Sequence, residues 1–251
     1  MDKAMLKVAP VELVRREADL LLQLSYPKPD QSYAESTLSC IEELGVEGVE
    51  LAKEGRLRIL GKGFRNIVVC GLMRRERVAI KVRRQDYGHK DAWREAYMLE
   101  RANSLGIGPR LLGQKGQVIV MSLVEGTDLT SWLLTYNPSR EAAIKVLIEM
   151  ATQCHRLDEA MIDHGELSDA SKHVILSQNH PTIIDFGSAS FSTRPKNLTS
   201  IINYIYSAQL EMVRQRLGLA KVGFELLRRY KEAFSSEDFL EILTEMGLLG
   251  K

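Results

Sequence analysis

The feature that most constrains this chain is a change of hydrophobic period along it. From residue 56 come three short runs rich in apolar and β-branched residues: Leu57 and Ile59, then residues 66–72, then residues 78–82. Gly61, Gly63 and the charged turn Arg74-Arg75-Glu76-Arg77 break them, the pattern of an antiparallel meander. Residues 90–105 switch to helical period, with Trp93, Tyr97, Leu99 and Ala102 among charges, until Gly106 and Gly108-Pro109 end the helix. Leu111-Leu112 and residues 118–124 read as two more strands, about five in all with one helix after the third. Beyond Glu125-Gly126 the chain turns mainly helical, over residues 128–134 and 139–160, the latter entered through Pro138-Ser139 with Glu141 in its first turn. Val174-Ile175-Leu176 and Thr182-Ile183-Ile184 are brief apolar strands around a polar loop, and the chain is helical again from Asn197. A β-rich small lobe followed by a helical large lobe is an α+β arrangement, with a cleft expected at the junction.

The chain has 251 residues, 45% of them hydrophobic, enough for one large core or a two-lobed one. The expected division is a helical N-terminal extension over residues 1–55 and one domain over 56–251, its small lobe 56–124 and its large lobe 125–251. Within the extension, residues 10–24 carry Leu13, Leu20, Leu21 and Leu24 at near-helical spacing until Tyr26-Pro27-Lys28-Pro29 stops them, and residues 33–44 read as a second helix. The extension carries no legible chemistry.

Basic and acidic side chains number 34 and 33, so a formal charge of +1 gives no electrostatic footprint for nucleic acid or an anionic membrane. Three widely spaced cysteines, Cys40, Cys70 and Cys154, read as buried thiols of a reducing compartment rather than a metal or redox pair. No stretch approaches the roughly 18 apolar residues of a membrane span, and the N-terminus lacks the apolar centre of a signal peptide, so the expectation is a soluble cytoplasmic protein.

Chemistry concentrates in a few short segments. Leu60-Gly61-Lys62-Gly63-Phe64-Arg65-Asn66-Ile67-Val68 joins the first two strands; glycines there let a backbone approach phosphates, and an ordinary hairpin turn needs them too. Lys81, in Val78-Ala79-Ile80-Lys81, is a cation on the third strand, and Glu95 and Glu100 on the next helix are candidate partners. Ile184-Asp185-Phe186-Gly187 follows an apolar strand, and Asp163-His164-Gly165-Glu166-Leu167-Ser168 precedes it.

In that order the segments resemble a protein kinase, and the minimal atypical kinases of the RIO type most of all. The loop resembles the H-G-D-L-S of RIO kinases and of the small kinase in the tRNA-modifying KEOPS complex. The chain is also similar to archaeal predicted Ser/Thr kinases with an H-G-E-L-S loop and an Asp-Phe-Gly-Ser-Ala-Ser continuation. The likeness covers roughly residues 56–210 and implies an ATP-dependent phosphotransferase, a serine/threonine protein kinase that acts on a protein or on itself. Its cofactors are ATP with Mg2+ or Mn2+.

By that resemblance Gly61, Gly63, Val68 and Ala79 line the nucleotide, Lys81 contacts the α- and β-phosphates, and Glu95 rather than Glu100 pairs with Lys81. Met121 is the gatekeeper, the Ser122 carbonyl and Val124 amide bond adenine, and Asp128 reaches the ribose. Asp185 holds the metal and Glu166 positions or deprotonates the acceptor hydroxyl. Three features depart from the pattern. The third glycine is Asn66, the catalytic aspartate is Glu166, and the family's asparagine is His173 at the end of a longer loop. His173 is either a metal ligand, unusual for magnesium, or a packing residue. His155 and His164 read as hydrogen-bonded scaffold. Thr193-Arg194-Pro195-Lys196-Asn197 reads as an exposed basic turn, and no A-P-E segment follows Gly187. A nucleotide-binding pseudokinase that regulates a partner, and an ATPase or small-molecule kinase, are the rival readings.

Overall fold

Runs such as residues 78–82 and 118–120 are buried at every position, so the sheet they build is covered on both faces there. In a computed structural model, which describes residues 7–86 and 90–250, the chain forms two units: Met1–Glu100 with Pro109–Leu123, and Arg101–Gly108 with Val124–Lys251. The first holds β1 (Val8–Pro10), α1 (Val11–Arg16), α2 (Ala18–Leu21), α3 (Gln31–Glu43), β2 (Gly48–Glu50), β3 (Ile59–Lys62), β4 (Asn66–Met73), β5 (Glu76–Arg83), most of α4 (Lys90–Asn103), β6 (Leu111–Lys115) and β7 (Val118–Ser122). The strands make one antiparallel sheet in the order β1-β2-β4-β5-β7-β6, and β3 also pairs with β4. One edge of β4 carries β5, and the other carries β2 at Gly71 and Leu72 and β3 at residues 67–69.

Successive strand residues point to opposite faces, so register sorts them. Ile67 and Val69 of β4, Val78, Ile80 and Val82 of β5, and Val118 and Val120 of β7 share a face, and all are buried. What covers that face is the N-terminal segment: Leu20, Leu24, Leu38 and Ile41 join those strand residues in one apolar cluster. Helices were expected there, but the segment also adds two strands to the sheet, and the single helix expected over 10–24 breaks at Glu17 into α1 and α2. Strand β1 is too short to show alternation in sequence, and β2 includes a glycine. Gly48 is required at that point, because a Cβ there would lie 2.6 Å from the Ala9 carbonyl oxygen of the neighbouring strand.

Glu50 ties this segment to the sheet. It is buried, Arg58 Nη1 donates to it at 2.8 Å, and Arg77 Nε donates at 2.5 Å. Burial alone pushes the Glu50 carboxyl up, but hydrogen bonds from Arg77, Cys70 and Arg58 outweigh it and hold the group below its ordinary value. The three cysteines are free and buried.

In the second unit, β8 (Thr127–Asp128) leads into α5 (Leu129–Ser131), and α6 (Arg140–Glu159) is the long central helix. The Ser139 hydroxyl caps α6 by accepting from the Ala142 amide at 3.2 Å. After β9 (Ile162–Asp163) come α7 (Ala170–His173), the hairpin β10 (Val174–Ser177) and β11 (His180–Ile183), and β12 (Ser190–Phe191). Helices α8 (Asn197–Ile205), α9 (Glu211–Leu217), α10 (Phe224–Ala233) and α11 (Ser236–Glu245) complete the unit. Where a helix was expected over 128–134, a short strand and one helical turn pass into a π-helical stretch, Trp132–Tyr136. Among the described residues no helix is long and apolar enough to cross a membrane.

Candidate active site

The other face of the first unit's sheet collects the residues singled out by their motifs. Gly61 pairs with Val68, Val68 with Lys81, and Lys81 with Ile119, while Cys70 pairs with Ala79 and Ala79 with Met121. Register therefore puts Gly61, Val68, Ala79, Lys81 and Met121 on one face. Helix α4 packs on it through Ala92 and Ala96 against Ile119, with Leu111 and Met121 alongside.

From α4 the Glu95 carboxylate accepts a hydrogen bond from Lys81 Nζ, both side chains being buried at 3% and 5% exposure. Glu100, five positions on, is exposed. The second Glu95 oxygen, Oε2, is buried with no hydrogen-bond partner among the described residues. Burying two ions costs several kcal/mol each, so this pair is a poor device for stability alone.

The glycine segment is tighter than a loop. Gly61 lies inside β3, not in the turn, because β3 runs on to Lys62 and pairs with Ile67. The turn is confined to residues 63–65, with the Gly63 amide donating to the Asn66 carbonyl at 2.9 Å. Neither glycine has positive φ, and a Cβ on Gly61 would meet no atom within 4 Å. Packing among the described residues therefore does not itself demand glycine there.

Ser122 ends β7 and is bound to Arg110 in both directions: its amide donates to the Arg110 carbonyl and its hydroxyl accepts from the Arg110 amide, each at 2.8 Å. Val124 begins the longer segment of the second unit, in irregular backbone. Asp128 caps α5, accepting from the Ser131 amide at 2.9 Å, a use that the sequence reading did not include.

In the second unit, β9 and β12 pair Asp163 with Ser190, which sets the Asp163–Ser168 segment beside the backbone after Asp185. Gly165 has φ +86°, and a Cβ there would lie 3.0 Å from the Ser188 carbonyl oxygen, so any side chain at this turn is strained and crowded. His164 is fully buried, its Nε2 is 3.0 Å from the Ile184 carbonyl oxygen, and its ring meets Phe186 and His173 edge to face. Asp185 sits in the left-handed region, φ +66°, and its side chain accepts from the Gly187 amide at 3.3 Å. A non-glycine residue held there is uncommon and marks a segment under local constraint.

Glu166 is half-exposed at the start of a 3-10 turn, and its Oε2 lies 3.9 Å from His173 Nε2. His173 closes α7, its carbonyl accepts from the Ile184 amide at 2.9 Å, and its Nδ1 is buried with no hydrogen-bond partner among the described residues. Asp169 is engaged locally: Lys172 and Ser171 bond to its carboxylate and hold it below its ordinary value. Among the described residues no three His, Cys, Asp or Glu side chains gather into a metal cage. Magnesium held through one or two carboxylates and substrate phosphates needs no such cage, and the hard oxygens of Asp185 suit that role.

The RIO domain family model matches residues 67–202. The chain belongs to the RIO-domain family of atypical protein kinases. This RIO domain therefore has the α+β, two-lobed kinase-like fold, its sheet unit the small lobe and its helical unit the large one. The family is a phosphotransferase family that generally uses ATP and Mg2+. No curated protein matches the chain. The match takes in Lys81, Glu95, Glu166, His173 and Asp185, and leaves out Gly61, Gly63, β1 to β3 and α9 to α11.

Sequence reasoning missed a buried network around Asp158, Asn197 and Tyr230. Asn197 was read as part of an exposed basic turn; Arg194 and Lys196 are exposed, but Asn197 is buried. The available signal was Asp158 itself, an acid four residues after Cys154 and seven after Ala151 on the buried stripe of α6. His155 is scaffold, as expected, with Nδ1 3.0 Å from the Tyr230 hydroxyl and its ring stacked on Phe239.

Proposed function

We propose that this RIO domain transfers the γ-phosphoryl group of ATP to a serine or threonine hydroxyl of a protein, its own chain included. The observation that carries the reading is the buried Lys81–Glu95 pair on the sheet face shared with Gly61, Val68, Ala79 and Met121. A lysine held by a carboxylate has its ammonium fixed in a set direction, which suits the α- and β-phosphates. Gly61 and Gly63, which packing does not require, leave the backbone open to those phosphates. Adenine lies against Ala79 and Met121, with the Ser122 carbonyl and Val124 amide as its hydrogen-bond partners, and Asp128 faces the ribose.

In the large lobe, Asp185 is the metal-holding carboxylate, with His173 the further candidate ligand. Magnesium or manganese, when bound, neutralises charge on the phosphates. Glu166 orients the acceptor hydroxyl and takes its proton. Phosphoryl transfer passes through a loose transition state that depends on positioning and charge stabilisation, so a glutamate in place of aspartate is compatible with turnover.

A second reading, a nucleotide-binding module that regulates a partner without transfer, is favoured by the replacement of both polar residues of the family's loop, by Glu166 and His173. Incubating the purified chain with γ-labelled ATP and Mg2+ or Mn2+ separates the readings. Label on protein that is lost in Lys81→Ala and Asp185→Ala supports the kinase. Free phosphate alone points to an ATPase, and binding without either product to the regulatory module.

A further inference from the structure

Asp158 lies in the interior of the large lobe, wholly buried on α6, and all its acceptor positions are taken. Oδ1 accepts from the Asn197 amide at 2.9 Å and from Asn197 Nδ2 at 2.8 Å. Oδ2 accepts from the Leu198 amide at 3.0 Å and from the Tyr230 hydroxyl at 2.9 Å. The carboxylate thereby caps the first two amides of α8 from a different helix, at the positive end of the helix dipole. Burial pushes the Asp158 carboxyl up, against the pull of the Leu198 and Asn197 amides, the Tyr230 hydroxyl and the Asn197 side chain. Losing any one of these donors weakens what holds the group in place.

The network reaches the proposed catalytic segment. Asn197 Nδ2 also donates to the Ile162 carbonyl at 2.6 Å, and Asn197 Oδ1 accepts from the His164 amide at 2.9 Å. One buried side chain thus grips both the strand before the Glu166 turn and the residue two before Glu166. At the other end, Tyr230 belongs to α10, beyond the matched family region. Its single hydroxyl proton goes to Asp158, so its oxygen accepts from His155 Nδ1, and His155 in turn stacks on Phe239 of α11 at 4.3 Å. The last two helices are joined by hydrogen bonds and ring contact to the turn that carries Glu166.

We propose that Tyr230, Asp158 and Asn197 are positioning residues that set the His164–Glu166 backbone from the C-terminal helices. The consequence for turnover rests on the kinase reading of Glu166; the positioning itself does not. Tyr230→Phe removes only the hydroxyl and keeps the buried ring, and Asn197→Ala removes the link to His164. Site-resolved hydrogen exchange should show the His164 amide exchanging about tenfold faster in both variants, the factor for one lost hydrogen bond. Amides of the β10–β11 hairpin should keep their protection. Turnover should fall about ten- to hundredfold with KM for ATP unchanged, as for a misplaced catalytic group.

Unchanged exchange at His164 in Tyr230→Phe overturns the proposal, because Asn197→Ala removes that amide's own acceptor whatever the C-terminal helices do. So does a uniform loss of protection across the large lobe with kcat and KM shifting together, since the hydroxyl would then hold the fold and not the loop. If the wild type transfers no phosphate, the kinase reading fails, while exchange at His164 still decides the positioning.

Discussion

The buried Lys81–Glu95 pair allows stability and function to be pulled apart. Glu95→Ala removes one carboxylate partner from the Lys81 ammonium, which is at 5% exposure, and breaking a buried pair costs about 3 to 5 kcal/mol. At roughly 2 to 4 °C per kcal/mol for a chain of this size, the melting temperature should fall by about 6 to 20 °C. Replacing both partners by apolar residues of similar volume, Lys81→Met with Glu95→Leu, removes the desolvation cost together with the attraction. That variant should melt close to the wild type or above it. It should still lose ATP affinity by about ten- to hundredfold, the range for a hydrogen bond to a charged group. Thermal denaturation and calorimetry with ATP and Mg2+ read the two effects. A Glu95→Ala protein that melts within about 2 °C of the wild type refutes the energetic argument. A stable double variant that binds ATP as the wild type does refutes the assignment of Lys81.

Deleting residues 1–55 should abolish cooperative folding. It uncovers Ile67, Val69, Ile80, Val82, Val118 and Val120, whose burial contributes roughly 9 to 18 kcal/mol, as much as a whole domain's stability. A soluble fragment with a sharp melting transition would sink that expectation. Glu50→Gln should cost about 1 to 3 kcal/mol near pH 7, its arginine partners being partly solvated. Because the Glu50 carboxyl is held below its ordinary value, its contribution is full above that value and is lost as pH falls through the depressed one. The wild type and Glu50→Gln melting curves should therefore converge as pH falls below the ordinary carboxylate range, and a constant gap refutes the linkage. Glu166→Ala should lower turnover by about a hundredfold or more with ATP affinity hardly changed, and Glu166→Asp should retain part of it; single-turnover assays decide. Glu166→Asp with His173→Asn should be more active than either single variant, and strict additivity in a double-mutant cycle would deny the coupling.

The order of strands and helices was legible because hydrophobic period and turn residues carry it: β5, α4, α6 and the β10–β11 hairpin stand within a few residues of where Val78, Trp93, Ser139 and Val174 put them. Helical geometry says only that Glu95 and Glu100, five positions apart, cannot both face the sheet; the choice of Glu95 rests on the resemblance of Arg94-Glu95-Ala96 to the kinase pattern, and the structure pairs Glu95 with Lys81. Strands β1 and β2 were not legible, since three residues show no alternation and their pairing depends on β4, far along the chain. Gly61 was read as loop because a glycine-rich segment looks alike whether its first glycine pairs in a strand or not. The Asp158 network stayed hidden for another reason: its partners at 197 and 230 lie 39 and 72 residues away, and no local period links them.

Glu166 and His173 were read as two separate departures from the family's loop, and their geometry makes them one. The glutamate adds a methylene, and its carboxylate is found facing the His173 imidazole at 3.9 Å. His173 is anchored twice, by its carbonyl to the Ile184 amide next to Asp185 and by its ring to His164, whose amide Asn197 holds. An asparagine at 173 offers no ring to pack against His164. A histidine there with an aspartate at 166 leaves the imidazole facing a shorter acid. Residues that share a partner and a loop couple by roughly 0.5 to 3 kcal/mol, enough to change a rate severalfold to a hundredfold. Loss of function by unrelated substitutions has no reason to place the two new side chains opposite each other. A carboxylate kept at the head of the loop and faced by a ring packed against His164 is an arrangement that can still position a hydroxyl.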